Sequence, residues 1–196
     1  MKRSQSVLKG ASVSQMELGG AYSKAEAWFF SFPQKEFTLN EIAGELSISK
    51  TTAHEVISHL AEAGFLTVTR LGRLWRIKAN QDHQWFETRK IPFNLGLVYA
   101  CGIVPWVDAT FPQAKTIVLM GSYRRGDDTE QSDLDIAVEI GENKGMEMRE
   151  ETLAEMGYRK DVRVNIILFS RTNVDLNLFA NIANGIILRG FLEVRP

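Results

Sequence analysis

The spacing of apolar positions switches between helical and strand periods along the chain, and each switch predicts an element. Residues 1–22, rich in Ser, Gly and Gln, have no period and read as a mobile tail with at most one short ordered piece. From Ser23 the period is helical: Ala25, Trp28, Phe29 and Phe32 form one stripe, Ser23 and Glu26 have the spacing of a capping box, and Pro33 stops the helix. Thr38 and Glu41 repeat the box ahead of Ile42, Ala43 and Leu46. Ser49 is placed to cap a third helix whose inward stripe is Ala53, Val56, Ile57, Leu60 and Ala61, ended by Gly64. "FLTVTRLGRLWRIKA" then alternates around Leu71-Gly72-Arg73, the pattern of a hairpin.

Residues 81–112 carry aromatic and aliphatic positions at mixed helical spacing, broken by Pro92 and Pro105, and read as a helical connector that packs on the C-terminal domain. "KTIVLMGS" is a short apolar run ending in a turn, and "SDLDIAVEI" alternates as a strand. The predicted architecture is α+β: a tail at 1–22, three helices and a hairpin at 23–80, the connector at 81–112 and a mixed-sheet domain at 113–196.

Charge sharpens this division. Residues 1–80 hold ten Lys and Arg against seven Asp and Glu, whereas residues 81–196 hold 13 against 17. The stretch 64–80 contains Arg70, Arg73, Arg76 and Lys78 and no acid, a positive stripe suited to phosphates. The acidic second part is a poor DNA ligand by itself. A single cysteine, Cys101, excludes an intrachain disulfide and a cysteine-based zinc site. The N-terminal segment lacks the apolar stretch of a signal peptide, and no run reaches the roughly 18 apolar residues of a membrane span. The expected compartment is the cytoplasm, with no membrane partner. His83 has no second ligand at metal-binding spacing.

The candidate chemistry lies in "MGSYRRGDDTEQSDLDIAVEI", residues 120–140. A glycine after a buried strand lets backbone approach a ligand, and amides opening a helical turn point at an anion. Asp133 and Asp135, two residues apart, project from one strand face at about 6.5–7 Å along the backbone. Two hard carboxylates so placed suit Mg²⁺ with room for water and phosphate oxygens. Arg124 and Arg125 lie between these features, placed either to approach a triphosphate or to pair with Asp127, Asp128 or Glu130.

Gly121-Ser122, Arg125-Gly126 and Ser132-Asp133-Leu134-Asp135 closely resemble the "GSxxRG…SDxD" signature of the minimal nucleotidyltransferase family, within the DNA polymerase beta-like superfamily. The resemblance runs from about residue 113 to 190, where "LNLFANIANGIILRG" looks like the family's last helix and glycine-ended exit. It implies a mixed-sheet fold, Mg²⁺ held by the catalytic pair Asp133 and Asp135, and a nucleoside triphosphate held at Gly121, Ser122 and Arg125. The implied reaction transfers a nucleoside monophosphate to an acceptor hydroxyl with release of pyrophosphate. Some family members are antitoxins that adenylylate a toxin, so a protein acceptor is among the implied partners. The sequence departs from the family at Asn165, where active members carry a third carboxylate: Asn keeps an acceptor oxygen but cannot act as a base.

Residues 23–80 resemble the winged helix-turn-helix family by order of elements, and the fusion is similar to proteins common in archaeal genomes. This resemblance implies that Lys50, Thr51, Thr52, His54, Glu55 and Ser58 face DNA from the third helix, and that Arg70, Arg73 and Arg76 face phosphates from the wing. The alternative use of such a module is protein docking or dimerisation, and a homodimer fits either. Two functions are compatible with these features: a Mg²⁺-dependent nucleotidyltransferase directed to DNA, or a transcription regulator whose weakened nucleotidyltransferase domain senses a nucleotide.

Overall fold

The computed structural model describes residues 7–8, 10–12, 20–72, 74–141 and 146–194. Helix α1 (Gly20–Ser31) buries Ala25, Trp28, Phe29 and Phe30. It starts three residues before the predicted Ser23 box, which is therefore not its cap. Glu26 instead accepts a hydrogen bond from Arg89 Nη1 at 2.9 Å. Helix α2 (Leu39–Glu45) does use its box: Thr38 accepts from the Glu41 backbone and the Glu41 carboxylate accepts from the Thr38 backbone. That bond holds the Glu41 carboxyl below its ordinary pKa. Helix α3 (Lys50–Glu62) is capped by Ser49, whose Oγ accepts from Thr52 N at 3.0 Å.

Strands β3 (Leu66–Leu71) and β4 (Leu74–Ala79) pair antiparallel, with Gly72 at positive φ in the tip. Phe37 bridges Ile77 and ties the hairpin to the segment between α1 and α2. An aromatic core made by Trp28, Phe29, Phe30, Phe65 and Phe86 with Ile42, Ile57, Leu60 and Ile77 joins these elements. Each fully buried aromatic contributes about 1.5–3 kcal/mol through removal from water.

The predicted connector divides between two cores. Helix α4 (Trp85–Thr88) gives Phe86 to the aromatic core. Helices α5 (Lys90–Ala100) and α6 (Ile103–Thr110) give Leu97, Val98, Ile103 and Val107 to a second, aliphatic core. Among the described residues no single helix is long and apolar enough to cross a membrane.

The second core lies under a mixed sheet. Strand β5 (Thr116–Leu119) pairs antiparallel with β6 (Leu134–Glu139), which runs parallel to β8 (Arg159–Phe169). Strand β7 (Glu147–Gly157) forms a long antiparallel ladder with β8, and β9 (Ile186–Gly190) closes the other edge against β5. Between them in sequence stand the short helix α7 (Gly121–Arg125) and α8 (Leu176–Ala183). The expected glycine-ended exit is thus an edge strand. Its backbone finds donors and acceptors on β5, which a purely local reading does not see.

The expected tail also contributes to the sheet. Strands β1 (Val7–Leu8) and β2 (Ala11–Ser12) run parallel to β7, and Leu8 enters the aliphatic core. A Cβ on Gly10 would lie 1.3 Å from the Glu155 carbonyl oxygen, so only glycine lets the chain pass there. The rest of the predicted tail, residues 1–6, 9 and 13–19, lies outside the described residues.

Candidate active site

The sheet has one face covered by α5 and α6 and the other covered only in part. There α8 packs Ile182 over Val118, Ala137 and Phe169. Asp135 lies two residues before Ala137 on β6 and so shares this second face, in register with Asn165 on β8. Beyond the reach of α8 these residues are half-buried, as is Asp133 just ahead of β6.

Strand pairing brings the glycine-serine turn to the aspartates. Leu119 pairs with Ile136, and Met120 N donates to Asp135 O at 2.9 Å, so Gly121 is laid against the Asp135 side chain. Gly121 has φ +68°, and a Cβ there would lie 2.1 Å from Asp135 Oδ2. Glycine is required twice over, by the backbone conformation and by the close carboxylate. Ser122 follows in the first turn of α7.

Asn165 stands between the aspartates in the position expected for a third carboxylate. Its Nδ2 donates to Asp135 Oδ1 at 2.9 Å and reaches Asp133 Oδ2 at 3.4 Å. An amide donor thus offsets part of the repulsion between two anions that a third acid would increase. Arg163, two residues earlier on the same face of β8, places Nε 3.6 Å from Asp133 Oδ1. Sequence reasoning missed Arg163, although the alternation of "DVRVNII" puts it beside Asn165.

Arg125 is not among these residues. It lies in α7 with its guanidinium exposed, and its Nε pairs with Asp127 Oδ2 at 2.9 Å. Asp128 is taken by Lys90, with Nζ 3.2 Å from Oδ1, and both side chains are almost fully buried. Burial pushes the Lys90 pKa down and the Asp128 pKa up, and their mutual attraction opposes both shifts.

Residues 106–181 match the family model for a nucleotidyltransferase domain. The matched region runs from α6 into α8 and contains Gly121, Ser122, Asp133, Asp135 and Asn165. No curated protein matches the chain. The match supports the minimal nucleotidyltransferase family and suggests transfer of a nucleoside monophosphate. Nucleotidyltransferases generally use a nucleoside triphosphate and divalent metal. The candidate site offers two hard carboxylates beside a backbone cradle that a Cβ would fill, which fits a small hard cation. Among the described residues no group of three His, Cys, Asp or Glu is arranged to hold a metal ion, consistent with the amide at 165.

On the N-terminal elements, Lys50, Thr51, His54 and Glu55 are exposed along α3, and Ser58 is half-buried. Thr52 is engaged in the cap: its Oγ1 lies 2.8 Å from Ser49 Oγ and its side chain is half-buried. Arg70 stacks over Trp75, 4.6 Å from the ring centre, and His54 lies 4.7 Å from the same indole. His54 and Trp75 border a groove of about 470 Å³ that also takes in Thr38, Lys50 and Leu74. Trp75, missed as a candidate, is its aromatic wall. Arg76 has a balancing acid that the local sequence did not supply, Glu36, 3.6 Å away from the α1–α2 connection. Arg73 lies outside the described residues.

Proposed function

We propose that the chain is a Mg²⁺-dependent nucleotidyltransferase that moves a nucleoside monophosphate from a triphosphate to an acceptor hydroxyl. The reading is carried by the junction of β5, α7 and β6, where Gly121 is laid against Asp135 inside the matched region. Asp133 and Asp135 would hold Mg²⁺, and the backbone at Gly121 and Ser122 would meet the triphosphate. Bound there, the cation lowers the charge barrier to in-line attack at phosphorus. The acceptor oxygen forms a bond to the α-phosphorus, the bond to the β-phosphate bridge breaks, and pyrophosphate leaves as the acceptor proton passes to solvent.

We further propose that the N-terminal elements form a winged helix that contacts DNA through Lys50, Thr51 and His54 of α3 and through Arg70, Arg73 and Arg76 of the hairpin. The exposed cations and the groove beside Trp75 support this reading. Arg70→Ala with Arg76→Ala should weaken binding to all sequences and flatten its salt dependence; affinity insensitive to salt would reject it.

One observation favours a second reading. The Asn165 amide satisfies both aspartates where active family members have an acid, which suits a regulator that binds nucleotide without turnover. Incubation with α-labelled ATP, GTP, CTP and UTP, Mg²⁺ and extract from the protein's own source separates the two. Label transfer lost in both Asp133→Ala and Asp135→Ala establishes the transferase and reveals the acceptor's class, a protein such as a toxin included. Nucleotide binding without transfer selects the regulator.

A further inference from the structure

Asp133 is presented by residues 126–133, a stretch without regular secondary structure, so its place is set by the contacts made to it. Besides Asn165 and Arg163, which meet its carboxylate, the sheet supplies a buried guanidinium that holds its backbone neighbour. Arg159, at the start of β8 and 9% exposed, donates from Nη2 to the Ser132 carbonyl at 2.7 Å and from Nη1 to the Tyr123 hydroxyl. Ser132 adjoins Asp133, and Tyr123 adjoins Ser122 in α7. One fork-shaped side chain therefore spans the two segments that carry the site, as a lysine, with its single nitrogen, does less well.

Contacts at the other end of the stretch come from α5. Asn94 Nδ2 donates to Asp128 Oδ1 at 2.6 Å and to the Tyr123 carbonyl at 3.1 Å, and Lys90 donates to the Asp128 carbonyl. The neighbours of these anchors lead into the N-terminal core. Tyr158, beside Arg159, packs edge-on against Trp28 with ring centres 5.0 Å apart. Arg89, beside Lys90, pairs with Glu26 of α1.

We propose that Arg159 is a positioning residue of the nucleotide site, clamping the segment that presents Asp133 to the helix that presents Ser122. The proposal rests on reading Gly121, Ser122, Asp133 and Asp135 as that site. Mn²⁺, titrated into the full chain and followed by electron paramagnetic resonance, probes Asp133 and Asp135 without any turnover. Arg159→Met is expected to weaken Mn²⁺ binding roughly tenfold, the usual cost of losing an outer partner of a metal ligand, and Arg159→Lys to restore part of it. A core variant, Ile103→Ala, should lower Tm with Mn²⁺ affinity unchanged. Affinity in Arg159→Met equal to that of the unmodified chain overturns the proposal, and so does an equal loss in Ile103→Ala. If Arg159→Met does not fold, Arg159→Lys and Tyr123→Phe decide: unaltered affinity in both overturns it. Mn²⁺ binding by the unmodified chain that ignores Asp133→Ala and Asp135→Ala overturns the site reading itself, and this proposal with it.

Discussion

Asn165→Asp is the substitution whose outcome depends most directly on the site geometry. It removes an amide donor that lies 2.9 Å from one aspartate and 3.4 Å from the other, and adds a third negative charge in its place. After relaxation to about 4 Å, one like-charge pair costs about 4 kcal/mol at an effective dielectric constant of about 20. The Asp133 side chain is 30% exposed and Arg163 stands beside it, so screening lowers the total to about 1–3 kcal/mol. The new carboxyl would have a folded pKa above its unfolded one. Its penalty is therefore complete at neutral pH and fades as pH falls through the folded pKa. A divalent cation held by Asp133 and Asp135, as proposed, would reverse the penalty, because a ligand of the folded chain adds stability by mass action. Urea unfolding of both proteins at neutral pH and near pH 5, with and without Mg²⁺, reads all three effects. The variant should be less stable without Mg²⁺, recover on acidification and gain more than the unmodified chain when Mg²⁺ is added. Equal stability of the two proteins, with equal gains from Mg²⁺, would refute the placement of residue 165 between the aspartates.

Gly121→Ala places a methyl group where Asp135 Oδ2 now lies, and it should weaken Mn²⁺ binding by roughly tenfold or more, checked by titration. Lys90→Met leaves the buried Asp128 carboxylate without its cation and should cost about 3–5 kcal/mol at neutral pH by urea unfolding. Because burial already raises the Asp128 pKa, that deficit should shrink as pH falls and the carboxyl takes up a proton; a deficit independent of pH would reject the buried pair. Thr38→Ala removes the hydroxyl half of the α2 box, the oxygen that accepts from Glu41 N and donates to the Glu41 carboxylate, and should cost about 1 kcal/mol at neutral pH. The Glu41 pKa is lowered first by the Thr38 backbone N–H, which this variant keeps, and then by the Thr38 hydroxyl, which it loses; the hydroxyl's share is present above that group's unfolded pKa and is lost as pH falls through the folded one, which denaturation across acidic pH would reveal.

Local sequence carried much of this molecule because several of its signals act within a few residues. Thr38 with Glu41, Ser49 with Thr52, and the alternation on either side of Gly72 each bond or pack over short spans, so α2, α3 and the hairpin were legible. So was the nearness of the Gly121-Ser122 turn to Asp135, since their short spacing straddles two adjacent antiparallel strands. Elements stabilised by distant partners were not. "EMREETLAEMG" has no strand period of its own and becomes β7 only through its ladder with β8. Residues 186–190 become β9 only beside β5, and the pieces of the N-terminal segment only beside β7. The same reason separates site from sequence: Arg163 and Asn165 meet Asp133 and Asp135 across a parallel pairing, and Arg159 reaches Ser132 and Tyr123 from some 30 residues away. Residue types and short spacings determined what chemistry this chain can offer. Which groups converge on it was decided by strand register, because register is paid for by burial of whole faces rather than by any local preference.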